Sequence, residues 1–237
     1  MNPTPFTVTI TRNGPCIVAG GVPLAQQQIV TDALGESVEW REGEHFAVAQ
    51  TYALCRCGQS AAKPFCDGSH SRVGFDGTET SSRDAYDRQA ERIAGPTMDL
   101  QDAPALCAFA RFCDAKGQVW NLVRKSGEPG VAQLVEHEAG HCPGGRLVAR
   151  HHAHDHAHDD GVEASFEPPF EPSIGLVQDP AKHVSGPIWV RGGIPVIGAD
   201  GQAYEVRNRV ALCRCGASSN KPFCDGTHAS TGFNDAR

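Results

Sequence analysis

The sequence lacks a cluster of basic residues, an export signal and a long apolar run. It has 21 Lys and Arg against 28 Asp and Glu, with a formal net charge of −7, whereas binding to nucleic-acid phosphates requires a local excess of positive charge. The segment Met1–Ile10 has no basic region followed by apolar residues, as a signal peptide would. No apolar stretch reaches the roughly 20 residues that span a bilayer. We therefore expect a cytoplasmic protein that binds neither nucleic acid nor a membrane.

The sequence also lacks the short motifs of common enzymes. It has no phosphate-binding loop, no dinucleotide fingerprint and no nucleophile placed with its base in a recognisable pattern. Hydrophobic residues make up 40% of the 237 residues, which is enough for the core of one large or two smaller domains. These features predict a globular protein that is not an enzyme.

Cysteine is abundant for a chain without an export signal. The chain has ten, and in the reducing cytosol thiols stay free to bind metal. Six of them lie in two nearly identical stretches, Ala53–His70 and Ala211–His228, each with the spacing C-x-C-x8-C-x3-H. Three thiolates and one imidazole form a complete four-coordinate ligand set for a soft metal centre. The predicted ligands are Cys55, Cys57, Cys66, His70, Cys213, Cys215, Cys224 and His228.

The duplication extends upstream of these stretches. Gly14–Pro23 aligns with Gly186–Pro195 at an offset of 172 residues, whereas Cys55 and Cys213 are 158 apart, so the first copy carries a 14-residue insertion. After the third cysteine of each copy, Asp67 and Asp225 are predicted to cap a short helix that brings Cys and His onto one face. Alternating apolar and polar residues predict half-buried strands at Phe6–Ile10, Val38–Trp40, Phe46–Leu54 and Tyr204–Leu212.

The segment between the two copies has a different pattern. Its periodicity predicts helices at Ala103–Cys113 and Gly130–Glu138 and a strand at Gln118–Val123. The run His151–Asp160 is of low complexity and is predicted to be a solvated linker.

Two kinds of metal centre fit each ligand set. Zinc usually takes paired cysteines two or more residues apart, whereas here the first pair is C-x-C. Alternate residues of an extended strand point to the same side, so Cys55 and Cys57 are placed to bind one iron of a [2Fe-2S] cluster, and Cys66 and His70 the other. The spacing favours the cluster, and a tetrahedral Cys3His zinc site stays open. Four basic residues between the ligands either place positive charge near the metal or lie in solvent: Arg56, Lys63, Arg214 and Lys221.

In both copies Cys-x-Cys is followed by Ser and then by Lys-Pro-Phe-Cys-Asp-Gly-(Ser/Thr)-His. This motif closely resembles the CDGSH iron-sulfur domain of the NEET proteins. The resemblance covers about residues 14–75 and 186–233. The resemblance implies two [2Fe-2S] clusters, each held by three Cys and one His. It also implies an α+β, mostly β fold in which two CDGSH units form an intrachain pseudo-dimer with a β-rich cap, plus an inserted small α/β segment. The domains are then 1–79 and 181–237 for the CDGSH units, 80–150 for a ferredoxin-like segment, and 151–180 for a His- and Pro-rich linker.

Three of the remaining cysteines, Cys107, Cys113 and Cys142, resemble the arrangement of small bacterial ferredoxins that hold a [3Fe-4S] or related cluster. Against this, the intervening Ala108–Phe112 is not glycine-rich, and residues six apart on a helix lie about 240° around its axis. Two interpretations are open: a third cluster, or a ferredoxin-like remnant whose cysteines pack inside. The tenth cysteine, Cys16, is predicted to be a core residue.

Together these features predict an iron-sulfur protein that transfers single electrons or whole clusters to protein partners, as a monomer with internal pseudo-twofold symmetry. One imidazole among the thiolates leaves an oxidised [2Fe-2S] centre less negative than four thiolates would, which predicts a potential above that of plant-type ferredoxins. Two alternatives are open. The chain is either an electron-donor component of an oxidoreductase system with a third cluster in the middle segment, or a zinc-binding structural or interaction module.

Overall fold

The structure, a computed structural model, describes residues 5–152 and 164–235. Strands account for 32% of the residues and helices for 18%, which confirms the predicted α+β, mostly β class. The strands are β1 (Thr7–Ile10), β2 (Cys16–Ala19), β3 (Leu24–Thr31), β4 (Ser37–Phe46), β5 (Thr51–Leu54), β6 (Glu91–Ala94), β7 (Met98–Asp102), β8 (Leu147–His151), β9 (Ala164–Phe166), β10 (Ser173–Asp179), β11 (Val184–Arg191), β12 (Val196–Ile197) and β13 (Arg209–Leu212). The α-helices are α1 (Ser69–Arg72), α2 (Tyr86–Gln89), α3 (Val119–Val123), α4 (Val131–Gly140) and α5 (Thr227–Ser230).

The two repeat copies exchange a strand. One sheet has the order β12-β1-β2-β5, and another has the order β13-β11-β10-β3-β4. Strand β12 of the second copy pairs in parallel with β1, with Val196 opposite Val8. Its equivalent in the first copy, β3, pairs in parallel with β10, with Leu24 opposite Ile174. Because each copy contributes a strand to the other's sheet, the chain forms an intrachain pseudo-dimer.

Residues of both copies share one hydrophobic core. Alternate residues of β1 and β2 face it, as a period of two requires, so that Val8, Ile10, Cys16 and Val18 are buried, and Leu24 joins them from the exchanged strand. Burying an aliphatic side chain of this size contributes about 1.5–3 kcal/mol. The core position of Cys16 is confirmed, and burial raises the pKa of its thiol to about 12.

The predicted strands at Phe6–Ile10 and Val38–Trp40 are confirmed by β1 and β4, but two longer ones are interrupted. The range Phe46–Leu54 is split because the Gln50 carbonyl, between β4 and β5, accepts hydrogen bonds from the amides of Gly20 and Gly21 at 2.8 and 3.0 Å. The range Tyr204–Leu212 is strand only in β13. Both interruptions are stretches of irregular chain next to a strand. The alternation of apolar and polar residues does not show where such a strand begins or ends.

The middle segment forms its own sheet, of order β6-β7-β8-β9. Helices α3 and α4 pack on it around a core that includes Leu100, Val135 and Ala149. Helix α4 confirms the helix predicted at Gly130–Glu138. The predicted strand at Gln118–Val123 is wrong, because the buried residues of α3 follow the spacing i, i+3, i+4 that defines a helical face.

The predicted helix at Ala103–Cys113 is also wrong. A short 3-10 turn at Pro104–Leu106 is followed by irregular chain, in which Phe109 and Arg111 have φ values of +54° and +65°. Left-handed conformations at residues other than glycine are unfavourable and end a right-handed helix. The chain here runs over the second repeat copy instead of coiling on itself.

Two predictions remain, the domain limits and the solvated linker at His151–Asp160. The domain limits stay predictions, although β9 and β10 fall within the range 151–180 that was assigned to a linker. His151 and His152 face the carboxylates of Glu136 and Asp99 at 2.8 and 3.2 Å, and the rest of the histidine run lies outside the described residues. Within the described part of the chain, no helix is long and apolar enough to cross a membrane.

Candidate metal centres

Each ligand set begins where a strand ends. Strand β5 ends at Leu54, immediately before Cys55, and the chain returns antiparallel to it. In that return the amide of Cys66 donates to the Ala53 carbonyl at 2.9 Å, and the amide of Cys55 donates to the Pro64 carbonyl at 2.8 Å. The second copy forms both equivalent bonds after β13, at 2.8 and 2.9 Å. Sheet pairing therefore fixes the C-x-C segment beside the third cysteine.

The four ligands of the first copy lie as two close pairs. Sγ of Cys55 lies 3.7 Å from Sγ of Cys57. Sγ of Cys66 lies 3.4 Å from Nδ1 of His70. Two sulfur atoms bound to one metal at about 2.3 Å with a tetrahedral angle lie about 3.8 Å apart, so these separations fit a shared metal. The second copy repeats them at 3.8 and 3.4 Å, for Cys213 with Cys215 and for Cys224 with His228.

The two pairs of each copy do not converge on one point. Within residues 5–152 and 164–235, no group of three or more His, Cys, Asp or Glu side chains is arranged around a common metal ion. A structural zinc site needs four ligands around one ion, whereas a [2Fe-2S] cluster takes two ligands on each iron. The residues present fit the two-iron cluster better than a single zinc ion.

Backbone amides point at the sulfur atoms. The amide of Gln59 lies 3.4 Å from Sγ of Cys57, and that of Gly68 lies 3.4 Å from Sγ of Cys66. The second copy has the same two contacts, from Ala217 at 3.5 Å and from Gly226 at 3.4 Å. Hydrogen bonds to a thiolate stabilise its negative charge, which is the charge that a metal-bound sulfur carries.

The histidines lie on the short helices α1 and α5, as predicted. The N-cap of α1 is Gly68, with a left-handed φ of +85°, rather than the predicted Asp67. Asp67 still accepts the amide hydrogen of Ser69 at 2.9 Å, and it accepts that of Ala61 at the same distance. Hydrogen bonds from Ser69 and Ala61 hold the pKa of the Asp67 carboxyl well below its usual value. This carboxylate therefore ties the loop after the C-x-C pair to the helix that carries His70.

Arg56, between the first two ligands, is buried rather than solvated. Its side chain is 1% exposed and donates to the carbonyls of Thr11 and Gly14 at 3.0 Å and of Gly77 at 3.2 Å. The ring of Phe75 lies 5.2 Å away. Arg56 thus holds the β1–β2 turn and the chain after α1 against the first ligand set.

Arg214 has the equivalent position in the second copy and is also buried. It donates to the carbonyls of Gly186 and Val177 at 2.9 and 2.8 Å and pairs with Asp235 at 3.2 Å. Burial lowers the pKa of Arg214, and the negative charges of Asp235 and of three ligand cysteines oppose that shift. Those cysteines belong to both copies: Cys55, Cys215 and Cys224. The sequence leaves open whether the positive charge of Arg214 lies near a metal site or in solvent. In the structure this charge interacts with cysteines of both ligand sets.

The two copies differ in exposure at their Cys–His pair. Cys66 and His70 are partly exposed, whereas Cys224 and His228 are only 3% and 4% exposed. Burial lowers the pKa of His228 to about 4, and the positive charge of Arg214 contributes to this shift. The two ligand sets are equal in composition and unequal in surroundings.

Of the middle cysteines, Cys113 is influenced by the charges of both others. Burial raises the pKa of the Cys113 thiol, and the negative charges of Cys142 and Cys107 raise it further. Because the chain from Cys107 to Arg111 is not helical, the expected 240° separation of Cys107 and Cys113 does not apply. The helical spacing therefore no longer argues against a shared centre, but among the described residues these cysteines form no group of three that could hold one metal ion.

Comparison with models of protein families gave two matches. The family described as iron-binding zinc finger CDGSH type matches residues 13–71 and 185–229. These ranges coincide with the two repeat copies and contain both ligand sets. The chain therefore contains two CDGSH-type domains and a middle segment between them.

The second match concerns that middle segment. The family described as divergent 4Fe-4S mono-cluster matches residues 93–152, which include all three middle cysteines. A search of curated proteins and a search of solved structures each found no match to this CDGSH protein. The two CDGSH regions indicate iron-sulfur binding, and the middle region points to another cluster.

Proposed function

We propose that this CDGSH protein holds two [2Fe-2S] clusters and carries single electrons, or whole clusters, to partner proteins. The observation that supports this proposal is the arrangement of each ligand set as two pairs, with separations of 3.7 and 3.4 Å in the first copy. The C-x-C pair would bind one iron of each cluster, and the Cys–His pair would bind the other.

The surrounding residues suit a centre that gains and loses one electron. A [2Fe-2S] cluster supplies one-electron chemistry when bound. One imidazole in place of a fourth thiolate lowers the negative charge of the ligand set, and the buried guanidinium of Arg214 adds positive charge nearby. The amides of Gln59 and Gly68 favour charge on the sulfur atoms. All of these stabilise the reduced state, so the potential would lie above that of plant-type ferredoxins.

A carrier accounts for this arrangement better than an enzyme does. A catalytic metal site keeps one coordination position open for water or substrate, whereas the three cysteines and one histidine of each set would fill all four terminal positions of a two-iron cluster. The exchanged strands β3 and β12 are already paired within one chain, which supports a monomer. The cysteines of both ligand sets are free of disulfide bonds, which suits the reducing cytoplasm. Protein partners there would accept the electron or the cluster.

The proposal is tested by counting iron and acid-labile sulfide on the freshly purified full chain. We expect at least four of each per chain and a visible absorption band, because each cluster contains two irons and two sulfides. Cys57→Ser and Cys215→Ser should each remove two irons, whereas Cys16→Ala, a buried cysteine outside both sites, should remove none. A colourless protein with two zinc ions and no sulfide would overturn the proposal in favour of the zinc-binding module.

A second candidate function is favoured by the middle segment. A third cluster bound by Cys107, Cys113 and Cys142 would make the chain an electron-donor component of an oxidoreductase system. The match to the 4Fe-4S family over 93–152, which contains all three cysteines, supports it. We expect more than four irons per chain, with the excess lost in Cys113→Ala. An iron count of four that Cys113→Ala leaves unchanged would contradict it.

A further inference from the structure

The middle segment covers one CDGSH site and leaves the other open. Gly68 and Gly226 are equivalent residues, each with a φ of +85°. Among the described residues, no atom beyond the chain neighbours of Gly68 lies within 4 Å of the position that a Cβ on Gly68 would take. At Gly226 that position lies 3.2 Å from Cβ of Phe109 and 3.4 Å from the carbonyl oxygen of Cys107. Residues of the middle segment therefore pack against the loop between Cys224 and His228.

We call residues Ala105–Arg111 the strap, and both of its ends are anchored. At one end, Nδ2 of Asn220 donates to the Ala105 carbonyl at 2.7 Å. At the other end, the guanidinium of Arg111 pairs with the Asp179 carboxylate at 2.6 Å. Both side chains of that ion pair are largely buried, where a charge pair in good geometry holds its partners firmly. The strap is therefore held across the second copy from β10 to the metal-binding loop.

Between its ends the strap packs directly on a ligand. Ala108 forms a buried cluster with Ala211 and Cys224. The left-handed conformation of Phe109, with φ +54°, is unfavourable for a residue other than glycine and persists only where the surroundings impose it. This conformation places Cβ of Phe109 against Gly226, in the loop between Cys224 and His228, while the Phe109 side chain itself stays 41% exposed.

We propose that the two sites have different roles: the first exchanges iron or electrons with outside partners, whereas the strap encloses the second and keeps its cluster in place. This inference rests on the proposed function. A chelator or an acceptor protein must reach the Cys–His pair to take iron from it. Cys66 and His70 present surface for that contact, whereas Cys224 and His228 are nearly fully buried.

Iron release from the full chain tests the inference. The protein is mixed with dithionite, which reduces ferric iron, and bathophenanthroline disulfonate, which binds the released Fe²⁺. The freed thiolates take protons from water, and the two bridging sulfides of each cluster leave as HS⁻. We expect a fast phase and a slow phase of two irons each from the CDGSH sites, with rates that differ at least tenfold. Cys57→Ser should abolish the fast phase and Cys215→Ser the slow one. A single rate for both sites would overturn the inference.

Variants of the strap supply the decisive comparison. Phe109→Ala and Asn220→Ala should each accelerate the slow phase at least fivefold without changing the fast phase, and Phe109→Leu should retain the slow rate because it fills the same space. Val73→Ala, an exposed residue of the first copy, is the matched control. Unchanged slow release in both Phe109→Ala and Asn220→Ala would contradict the role of the strap.

Iron and sulfide are counted on every sample before release begins. A protein with four of each in its CDGSH sites that releases them at one rate would refute different roles while leaving the proposed function intact. A zinc-loaded protein without sulfide would refute the proposed function itself. The two failures are therefore distinguishable.

Discussion

Gly58 of the first copy lies directly against the backbone of Cys215 in the second. A Cβ on Gly58 would lie 2.5 Å from the Cys215 carbonyl oxygen, and a Cβ on Gly216 would lie 2.6 Å from the Cys57 carbonyl oxygen. The two C-x-C loops therefore meet back to back, related by the same pseudo-twofold symmetry as the exchanged strands. This contact links the two candidate metal centres through their backbone.

We expect Gly58→Ala to destabilise the folded protein by at least about 2 kcal/mol, because the new methyl group would meet backbone that cannot turn away and φ is +73°. The measurement is the free energy of urea unfolding. Gly35→Ala is the matched control. Gly35 also has a left-handed φ, of +81°, but among the described residues no atom lies within 4 Å of the place of its Cβ. Gly35→Ala therefore has only the conformational cost. Equal losses in the two variants would show that the close contact does not matter.

Arg214→Met should lower the reduction potential of the clusters. Its guanidinium acts on ligand cysteines of both copies, and loss of a positive charge destabilises the more negative reduced state. A decrease on the order of 50 mV is expected, since 59 mV corresponds to a tenfold change for one electron. The potential is measured by an optical redox titration. Arg41→Met, on the exposed face of β4, should leave it unchanged, and an unchanged potential in Arg214→Met would contradict the electrostatic role.

Glu138 gives the protein a specific pH dependence of stability. Its side chain is fully buried and, among the described residues, neither carboxyl oxygen has a hydrogen-bond partner. Burial, together with the negative charges of Glu36 and Asp114, raises the pKa of Glu138 from 4.5 to about 8. Because the folded state binds this proton more tightly than the unfolded state, its contribution to stability is complete below pH 4.5 and is lost as pH rises to about 8.

Glu138→Gln, which stays neutral, should therefore be more stable than the original protein at pH 8.5, with a smaller advantage at pH 6. The measurement is the difference in free energy of urea unfolding between the two proteins at each pH, so that effects shared by both cancel. Exposed Glu128→Gln is the control. A difference that does not change with pH would show that Glu138 is ionised in the folded state throughout.

Arg209 joins the middle segment to the second copy, and its removal should loosen that junction. It is 1% exposed and pairs with Glu167 at 2.7 Å, while donating to the carbonyls of Ala139, Cys142 and Leu147 at 2.6, 2.9 and 3.2 Å. Arg209→Met would leave these buried acceptors unpaired, at a cost of about 3 kcal/mol or more.

We expect Arg209→Met to increase hydrogen exchange of β8 and α4 while iron bound at the first CDGSH site stays constant. The control is Arg150→Met, because Arg150 pairs with exposed Asp87 and such surface pairs contribute little. Exchange that rises equally across β1 and β2 would indicate general unfolding instead of a loosened junction.

The ligand pairs were predictable because the rules that create them are local. Alternation along a strand places Cys55 and Cys57 on one side, and one helical turn places Cys66 beside His70. Elements that depend on distant contacts were not predictable in this way. The period-two pattern of Gln118–Val123 also fits a short helix, and only the sheet beneath α3 decides between them. The helix predicted across Cys107–Cys113 fails because the strap follows the surface of the second copy.

The amino-acid sequence by itself determined that there are two copies of one metal-binding unit, which residue types they offer and in what spacing, since each depends on short stretches of chain. The tertiary structure alone decided that β3 and β12 are exchanged and that Arg56 and Arg214 are buried. It also decided that the strap packs over the buried pair Cys224 and His228, whereas Cys66 and His70 stay partly exposed. These depend on which distant surfaces meet, and two nearly identical motifs carry no information about their neighbours. Equal motifs therefore acquire unequal surroundings only when the chain folds.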